Sequence, residues 1–207
     1  PIVSLKKPIP NINVWKLFEY MQLQYSSGTE TLYEGIQRVA PGQILVIKRG
    51  KIIKSFLSTF TQKKKSINHT ELITSLDKSL RESVSSHLRS DVPYCIFFSG
   101  GIDSILLLHY VHQLKKENIT AYSIYFDKDT SKSLEKITQT YNVDLVKVKF
   151  SEDDFWNWIF LAAEKIDEPV ADYAILPTLK LASIASKKYK VALTGEGGDE
   201  LFGGYGR

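Results

Sequence analysis

The chain has 207 residues, 43% of them hydrophobic, a formal net charge of +4 and a single cysteine. That length holds one full domain, or one domain with a fragment of another, and lone Cys95 excludes a disulfide framework. The longest apolar run is far short of a membrane span and no secretory signal opens the chain, so the cytoplasm is expected, with no membrane and no nucleic-acid partner.

Residues 1–10 hold three prolines and no hydrophobic period. Val14 to Leu23 places Val14, Leu17, Phe18 and Met21 at helical spacing, with Asn11 or Asn13 near the cap. After Thr31 to Gln43, Ile44–Ile47 and Ile52–Phe56 flank a Lys48-Arg49-Gly50-Lys51 turn and predict a hairpin. Lys63-Lys64-Lys65 is a dense basic run between two organised stretches and reads as a solvated linker.

Thr70 is the expected cap of a helix in which Leu72, Ile73, Leu76, Leu80, Val84 and Leu88 recur at three- and four-residue spacing. Asp91-Val92-Pro93 ends it. Tyr94 to Phe98 is continuously apolar, as suits a strand covered on both faces of a parallel sheet, and Cys95 within it reads as a small core residue. A glycine turn follows, then a helix opened by Ser104 and running to Lys115. Thr120–Phe126 and Leu145–Phe150 predict strands on either side of a helix marked by Leu134, Ile137 and Tyr141. Phe155–Ile166 predicts a helix whose Trp156, Trp158 and Phe160 are expected to pack. The acidic turn Asp167-Glu168-Pro169, with Asp172, reads as solvated punctuation before a helix over Leu176–Lys188 and a strand at Val191–Leu193. Strands alternating with helices in this way predict an α/β fold, a doubly wound parallel sheet preceded by a small β-rich segment.

Ligands of such a sheet bind at the carboxyl ends of its strands. Ser99-Gly100-Gly101-Ile102-Asp103-Ser104 lies at one such end, where two glycines let the backbone approach a ligand and the next helix directs free N–H groups at it, a setting for phosphate. No Lys follows the glycines, so this is not a Walker A loop. Thr194 to Tyr205 lies at another and packs three carboxylates and five glycines into a dozen residues. Alone it could be a flexible acidic loop. Opposite the first turn it supplies hard oxygen ligands for Mg²⁺, with Asp103 and Asp199 as the candidates.

The SGGIDS turn resembles the pyrophosphate-binding loop of enzymes that split ATP into AMP and pyrophosphate. Together with Asp91-Val92-Pro93, Asp167-Glu168-Pro169 followed by Asp172, and Thr194-Gly195-Glu196-Gly197-Gly198-Asp199-Glu200-Leu201-Phe202-Gly203-Gly204-Tyr205, it resembles the glutamine-hydrolysing asparagine synthetase family. Thr31 to Gly42 is similar to a segment of that family's N-terminal glutaminase domain. The resemblance implies an ATP-pyrophosphatase fold, adenine nucleotide alpha hydrolase-like, over residues 70–207, a linker over 61–69, and a glutaminase (Ntn-hydrolase-like) remnant over 1–60. It implies ATP and Mg²⁺ as cofactors. Ser99, Gly100, Gly101, Asp103 and Ser104 would cradle pyrophosphate. Phe98 and Ile124 would offer backbone contacts to adenine, and Thr194 and Gly195 would lie at the nucleoside. Asp103 and Asp199 would hold the metal, and Glu196 would face the acceptor or ammonia, making Glu196 and Asp103 the catalytic candidates. The implied activity is amide formation through an acyl-adenylate. Aspartate is the expected acceptor, or another carboxylate, and ammonia or glutamine the nitrogen source.

Three positions depart from the family pattern. Phe98 replaces Leu, Thr194 replaces Ser, and Tyr125 replaces a Gly near the adenylate. The N-terminal nucleophilic Cys and the later catalytic Lys of the family have no counterpart in these 207 residues, so glutamine hydrolysis by this polypeptide alone is not expected. Alternatives are an adenylating relative of β-lactam synthetase or lasso-peptide cyclase type, or a nucleotide-binding subunit needing a second polypeptide.

Overall fold

The computed structural model describes residues 10–58, 68–115, 117–126 and 131–205; Lys63-Lys64-Lys65 lies outside the described residues. The chain divides into two compact units. One takes the described part of Pro1–Ser66 together with Phe160–Ile175, the other Ile67–Ile159 with Leu176–Arg207.

In the first unit, helix α1 (Val14–Leu23) begins at Asn13, whose side chain accepts the Lys16 N–H at 3.2 Å. The hairpin forms as the pattern predicts: β1 (Gln43–Lys48) pairs antiparallel with β2 (Lys51–Leu57). Its two central residues, Arg49 and Gly50, both take positive φ, the geometry that matches strand twist in a two-residue turn.

The second unit holds α2 (His69–His87), β3 (Tyr94–Phe97), α3 (Ile102–Leu114), β4 (Ile119–Tyr125), α4 (Ser131–Thr140) and β5 (Val143–Lys149). Helix α5 (Glu152–Lys165), whose residues from Phe160 on belong to the first unit, and helix α6 (Ile175–Ala185) follow, then β6 (Val191–Leu193) and the short α7 (Gly198–Phe202). Its four strands are parallel in the order β5-β4-β3-β6. The chain therefore lays strands outward from β3 in one direction, then returns to place β6 on the other side of β3. That reversal is the switch point at which α/β sheets bind ligands, and it sets the end of β3 beside the end of β6.

Helices cover both faces, as a doubly wound sheet requires. On one face Ile96, Phe98, Ile119, Ala121 and Val143 meet Val84 and Leu88 at the end of α2 and Leu108 and Val111 of α3. On the other, Cys95, Tyr122 and Val148 meet Leu181 and Ala185 of α6. The alternation of Cys95 and Ile96 between faces is the period of two expected of a strand. Cys95 is fully buried, and burial pushes its thiol up to about 11, consistent with a packing role.

Four local expectations need correction. Asn68, not Thr70, caps α2, because the Asn68 side chain accepts the Glu71 N–H at 2.9 Å. Helix α3 begins at Ile102, two residues before Ser104, with Gly101 as its cap. The stripe along α2 is buried only toward its C-terminal end: Val84 and Leu88 enter the core while Leu72, Ile73 and Leu76 stay exposed. Trp156 and Phe160 are largely exposed rather than buried, although the Trp156 ring meets Phe155 edge-on at 5.2 Å. Among the described residues no helix is long and apolar enough to cross a membrane.

Candidate active site

The turn after β3 is held by its own hydroxyls. Ser104 is buried, and its Oγ accepts from the Gly100 N–H at 3.1 Å and from Ser99 Oγ at 3.2 Å while donating to the Gly101 carbonyl at 2.9 Å. Ser99 Oγ in turn accepts the Gly101 N–H at 3.2 Å. With its hydroxyl thus engaged, Ser104 shapes the turn from inside. Gly100 has φ +80°, a left-handed conformation costly for other residues, and a Cβ there would collide with the Leu134 side chain.

Gly101 caps α3 without a side chain, leaving the first N–H groups of a 13-residue helix at the turn. Asp103, half-buried, lies in that first turn. A carboxylate is favourable beside the positive end of a helix, but in a phosphate site it repels the ligand unless a cation stands between them.

The segment after β6 closes directly onto Asp103. A Cβ on Gly195 would come within 2.9 Å of Asp103 Cβ and of the Ser104 backbone nitrogen. One on Gly198 would lie 2.5 Å from Asp103 Oδ1. Two glycines therefore permit the acidic segment to lie against the phosphate-type turn. Thr194, Glu196 and Asp199 are exposed beside this contact. Gly203 and Gly204 donate to the Asp199 carbonyl at 2.8 and 3.1 Å, folding the chain back so that Gly204 faces the Asp199 carboxylate. Tyr205 donates to Glu200 at 2.5 Å, which pushes the phenol up to about 12 and holds the carboxyl below its ordinary range. A cavity of about 630 Å³ adjoins the contact, lined by Asp103, Thr194, Gly195, Glu196 and Gly198 and by leucines of α2 and α3.

The structure thus brings Ser99, Gly100, Gly101, Asp103 and Ser104 together with Gly195 and its neighbours. Phe98 and Ile124 stand at the ends of neighbouring strands, with the Phe98 side chain in the core shared with α3 and the Ile124 side chain in the core shared with α6. The Phe98 N–H is bonded to the Tyr122 carbonyl at 2.8 Å.

Two polar ties were not foreseen. Ser151 and Asp154 bracket the start of α5: the Asp154 carboxylate accepts the Ser151 N–H at 2.8 Å, and Asp154 N–H donates to Ser151 Oγ at 3.2 Å. Ser-x-x-Asp before an apolar run is the signal that could have found it. Lys180 pairs with Asp154 at 2.6 Å and donates to the Lys149 carbonyl at 2.7 Å, fastening α6 to the end of β5. That ammonium, with the Ser151 bonds, holds the Asp154 carboxyl at about 2. The second tie concerns the acidic turn. Glu168 is not solvated punctuation: its Oε1 accepts the Leu32 N–H at 2.7 Å and its Oε2 pairs with the Arg38 guanidinium. No local pattern announces a contact across 136 residues of chain.

Sheet order and two-sided core define an α/β protein of the doubly wound class, with the candidate cleft at the switch point. The asparagine synthase family model matches residues 75–207, and the chain belongs to that family. It is similar to asparagine synthetase (glutamine-hydrolyzing) 1 of Bacillus subtilis, 30% identical over 194 residues, with 91% of this chain and 30% of that protein covered. It is also similar to the amidase chyE of Penicillium rubens, 28% identical over 200 residues, covering 86% and 30% respectively. The chain spans about 30% of the length of these curated relatives. Among solved structures, an NH3-dependent NAD synthetase from Campylobacter jejuni matches 64% of this chain and 60% of its own at 17% identity, with a TM-score of 0.44.

Proposed function

We propose that this chain carries the nucleotide-binding part of an ATP-dependent amide-forming ligase of asparagine synthetase type. The single observation behind the reading is the contact of Gly195 and Gly198 with Asp103, which makes one cleft of two segments far apart in sequence. In this reading residues 70–207 are the synthetase domain, 61–69 a linker, and 1–60 the tail of a glutaminase domain. ATP lies with its phosphates along Ser99, Gly100 and Gly101 at the start of α3, where main-chain N–H groups and the helix dipole favour negative charge. Phe98 and Ile124 bound the adenine side through their main chains, and Thr194 and Gly195 adjoin the nucleoside. Glu196 faces the acceptor and the incoming ammonia.

Among the described residues no group of three or more His, Cys, Asp or Glu could hold a metal by itself. Mg²⁺ does not need one, since it binds one or two carboxylates and completes its shell with water and phosphate oxygens. The chemistry of the donors supports this reading: Asp103 has its carboxylate at Gly198, where a side chain would crowd it, and Asp199, one residue on, offers a second, exposed carboxylate. When bound, the metal would neutralise triphosphate charge as the α–β bond breaks. The chain's own residues position the acceptor carboxylate at the α-phosphate and keep the pyrophosphate anchored as it leaves. Aspartate is the acceptor that the family suggests.

Asp103→Asn is expected to weaken Mg²⁺-dependent ATP binding by about tenfold or more, the scale of one charge-assisted contact. Calorimetric titration with ATP, with and without Mg²⁺, measures it, and unchanged affinity would remove Asp103 from the metal. Adding ATP, Mg²⁺ and aspartate and assaying pyrophosphate separates a turning-over enzyme from a binding subunit that needs a second polypeptide. The latter binds nucleotide and releases no pyrophosphate.

A further inference from the structure

The acidic turn that the nucleotide cleft leaves unexplained has a role within the first unit. We propose that Glu168 is a positioning residue, a latch whose carboxylate fixes the 166–174 turn to the Thr29–Arg38 loop and on which the fold of the N-terminal segment depends. The inference goes beyond the ligase reading and does not require it.

Three observations carry the latch. Glu168 uses both oxygens on partners more than a hundred residues earlier: Oε1 takes the Leu32 N–H at 2.7 Å, and Oε2 takes Arg38. Each partner is itself fixed. Leu32 is buried at 7% exposure beside buried Thr31, whose hydroxyl donates to the Ile36 carbonyl at 2.9 Å. The Arg38 guanidinium also donates to Ser26 O at 3.0 Å and Ser26 Oγ at 2.7 Å, and the Arg38 main-chain N–H donates to the Thr29 carbonyl at 2.7 Å. Apolar packing is too sparse to do this work. Among the described residues of the unit, Leu32 and Ala162 are the buried hydrophobic side chains, whereas the other unit has a core on each sheet face.

A buried N–H deprived of its acceptor carries its full desolvation penalty, and the Arg38 guanidinium holds the carboxylate where it accepts the Leu32 N–H. The latch therefore opens as a unit. When it does, the Thr29–Arg38 loop and the turn holding Asp167 and Asp172 are released together, while the nucleotide unit keeps its own core.

The test is hydrogen exchange by NMR on the full chain, comparing wild type with Glu168→Gln and with Glu168→Asp. Glutamine keeps an acceptor for Leu32 but loses the charge that holds Arg38. Amide protection at Leu32 is expected to fall at least about tenfold, the reach of one charge-assisted bond, with the Arg38 amide falling alongside. Ile96 and Ala121 in the parallel sheet keep their protection. Glu168→Asp, which keeps the charge on a shorter arm, is expected to recover part of the loss. Unchanged protection at Leu32 in Glu168→Gln would overturn the latch. So would equal loss at Ile96 and Ala121, since that would mean global destabilisation. ATP affinity, measured on the same samples, is expected to stay at the wild-type value. If ATP fails to bind wild type as well, the ligase reading falls and the latch stands.

Discussion

Replacing Gly195 with alanine is expected to reduce both stability and nucleotide affinity, the two together. The added methyl meets Asp103 Cβ and the Ser104 backbone nitrogen at 2.9 Å, and the Asp103 carbonyl carbon at 3.0 Å. Two of these atoms belong to the backbone of the first turn of α3, which cannot rotate aside as a flexible side chain would. Relief requires the segment after β6 to move away from the turn after β3, or α3 to shift against a core in which Leu108 and Val111 are fully buried. Overpacking of this kind costs about 1–3 kcal/mol. A displaced wall opens the cleft, so ATP affinity is expected to fall by about tenfold or more on the same energy scale. Urea unfolding and calorimetry measure the two effects. Wild-type values for both would mean that the two segments are not in contact.

Phe98→Ala is expected to produce the larger loss of stability. Phe98 is 1% exposed and is the largest of the fully buried side chains, at the carboxyl end of β3 in the core formed with α2 and α3. Removing a buried phenyl ring forfeits its transfer energy and leaves a cavity that a close-packed interior cannot fill, together about 3–5 kcal/mol. Against a net stability of about 5–15 kcal/mol for a typical domain, that is a large share. Because the ring supports the residue that leads into Ser99-Gly100-Gly101, the turn should loosen as well. The urea midpoint is the readout, and a shift equivalent to less than about 1 kcal/mol would contradict the placement of this ring at the centre of the core.

What the sequence made legible was whatever is decided locally or by repeated pattern. The apolar run before Ser99 and the glycines after it demanded a strand and a turn, and the alternation of elements demanded a parallel sheet. The hairpin around Arg49-Gly50 followed from two strand-forming runs and a turn. Less legible were features set by a single side-chain geometry. Thr70 and Asn68 are both acceptable caps by residue type, and only the bond to the Glu71 N–H distinguishes them. Ser104 has the composition of a helix-opening residue, yet its hydroxyl is drawn into the preceding turn, and the helix starts at the glycine instead.

Tertiary placement was the least legible. The stripe on α2 is periodic along its whole length, but periodicity does not say how much of a helix meets a partner, and only its end enters the core. Trp156 and Phe160 look like packing residues by type, yet residue type does not fix which face of a helix is covered, and both are largely exposed. Glu168 sits in a proline-containing acidic turn of the kind usually left to solvent. Its carboxylate is instead bound by a main-chain N–H and a guanidinium that only the folded chain brings near.

The central claim is that the turn after β3 and the glycine-rich acidic segment after β6 bind one nucleotide between them. Amide chemical shifts recorded during titration with ATP and Mg²⁺ test it most directly. The account predicts that Gly100, Gly101, Ile102 and Asp103 shift in step with Gly195, Glu196, Gly197 and Gly198, along one binding curve. Shifts confined to one of the two segments, or following two different curves, would contradict it.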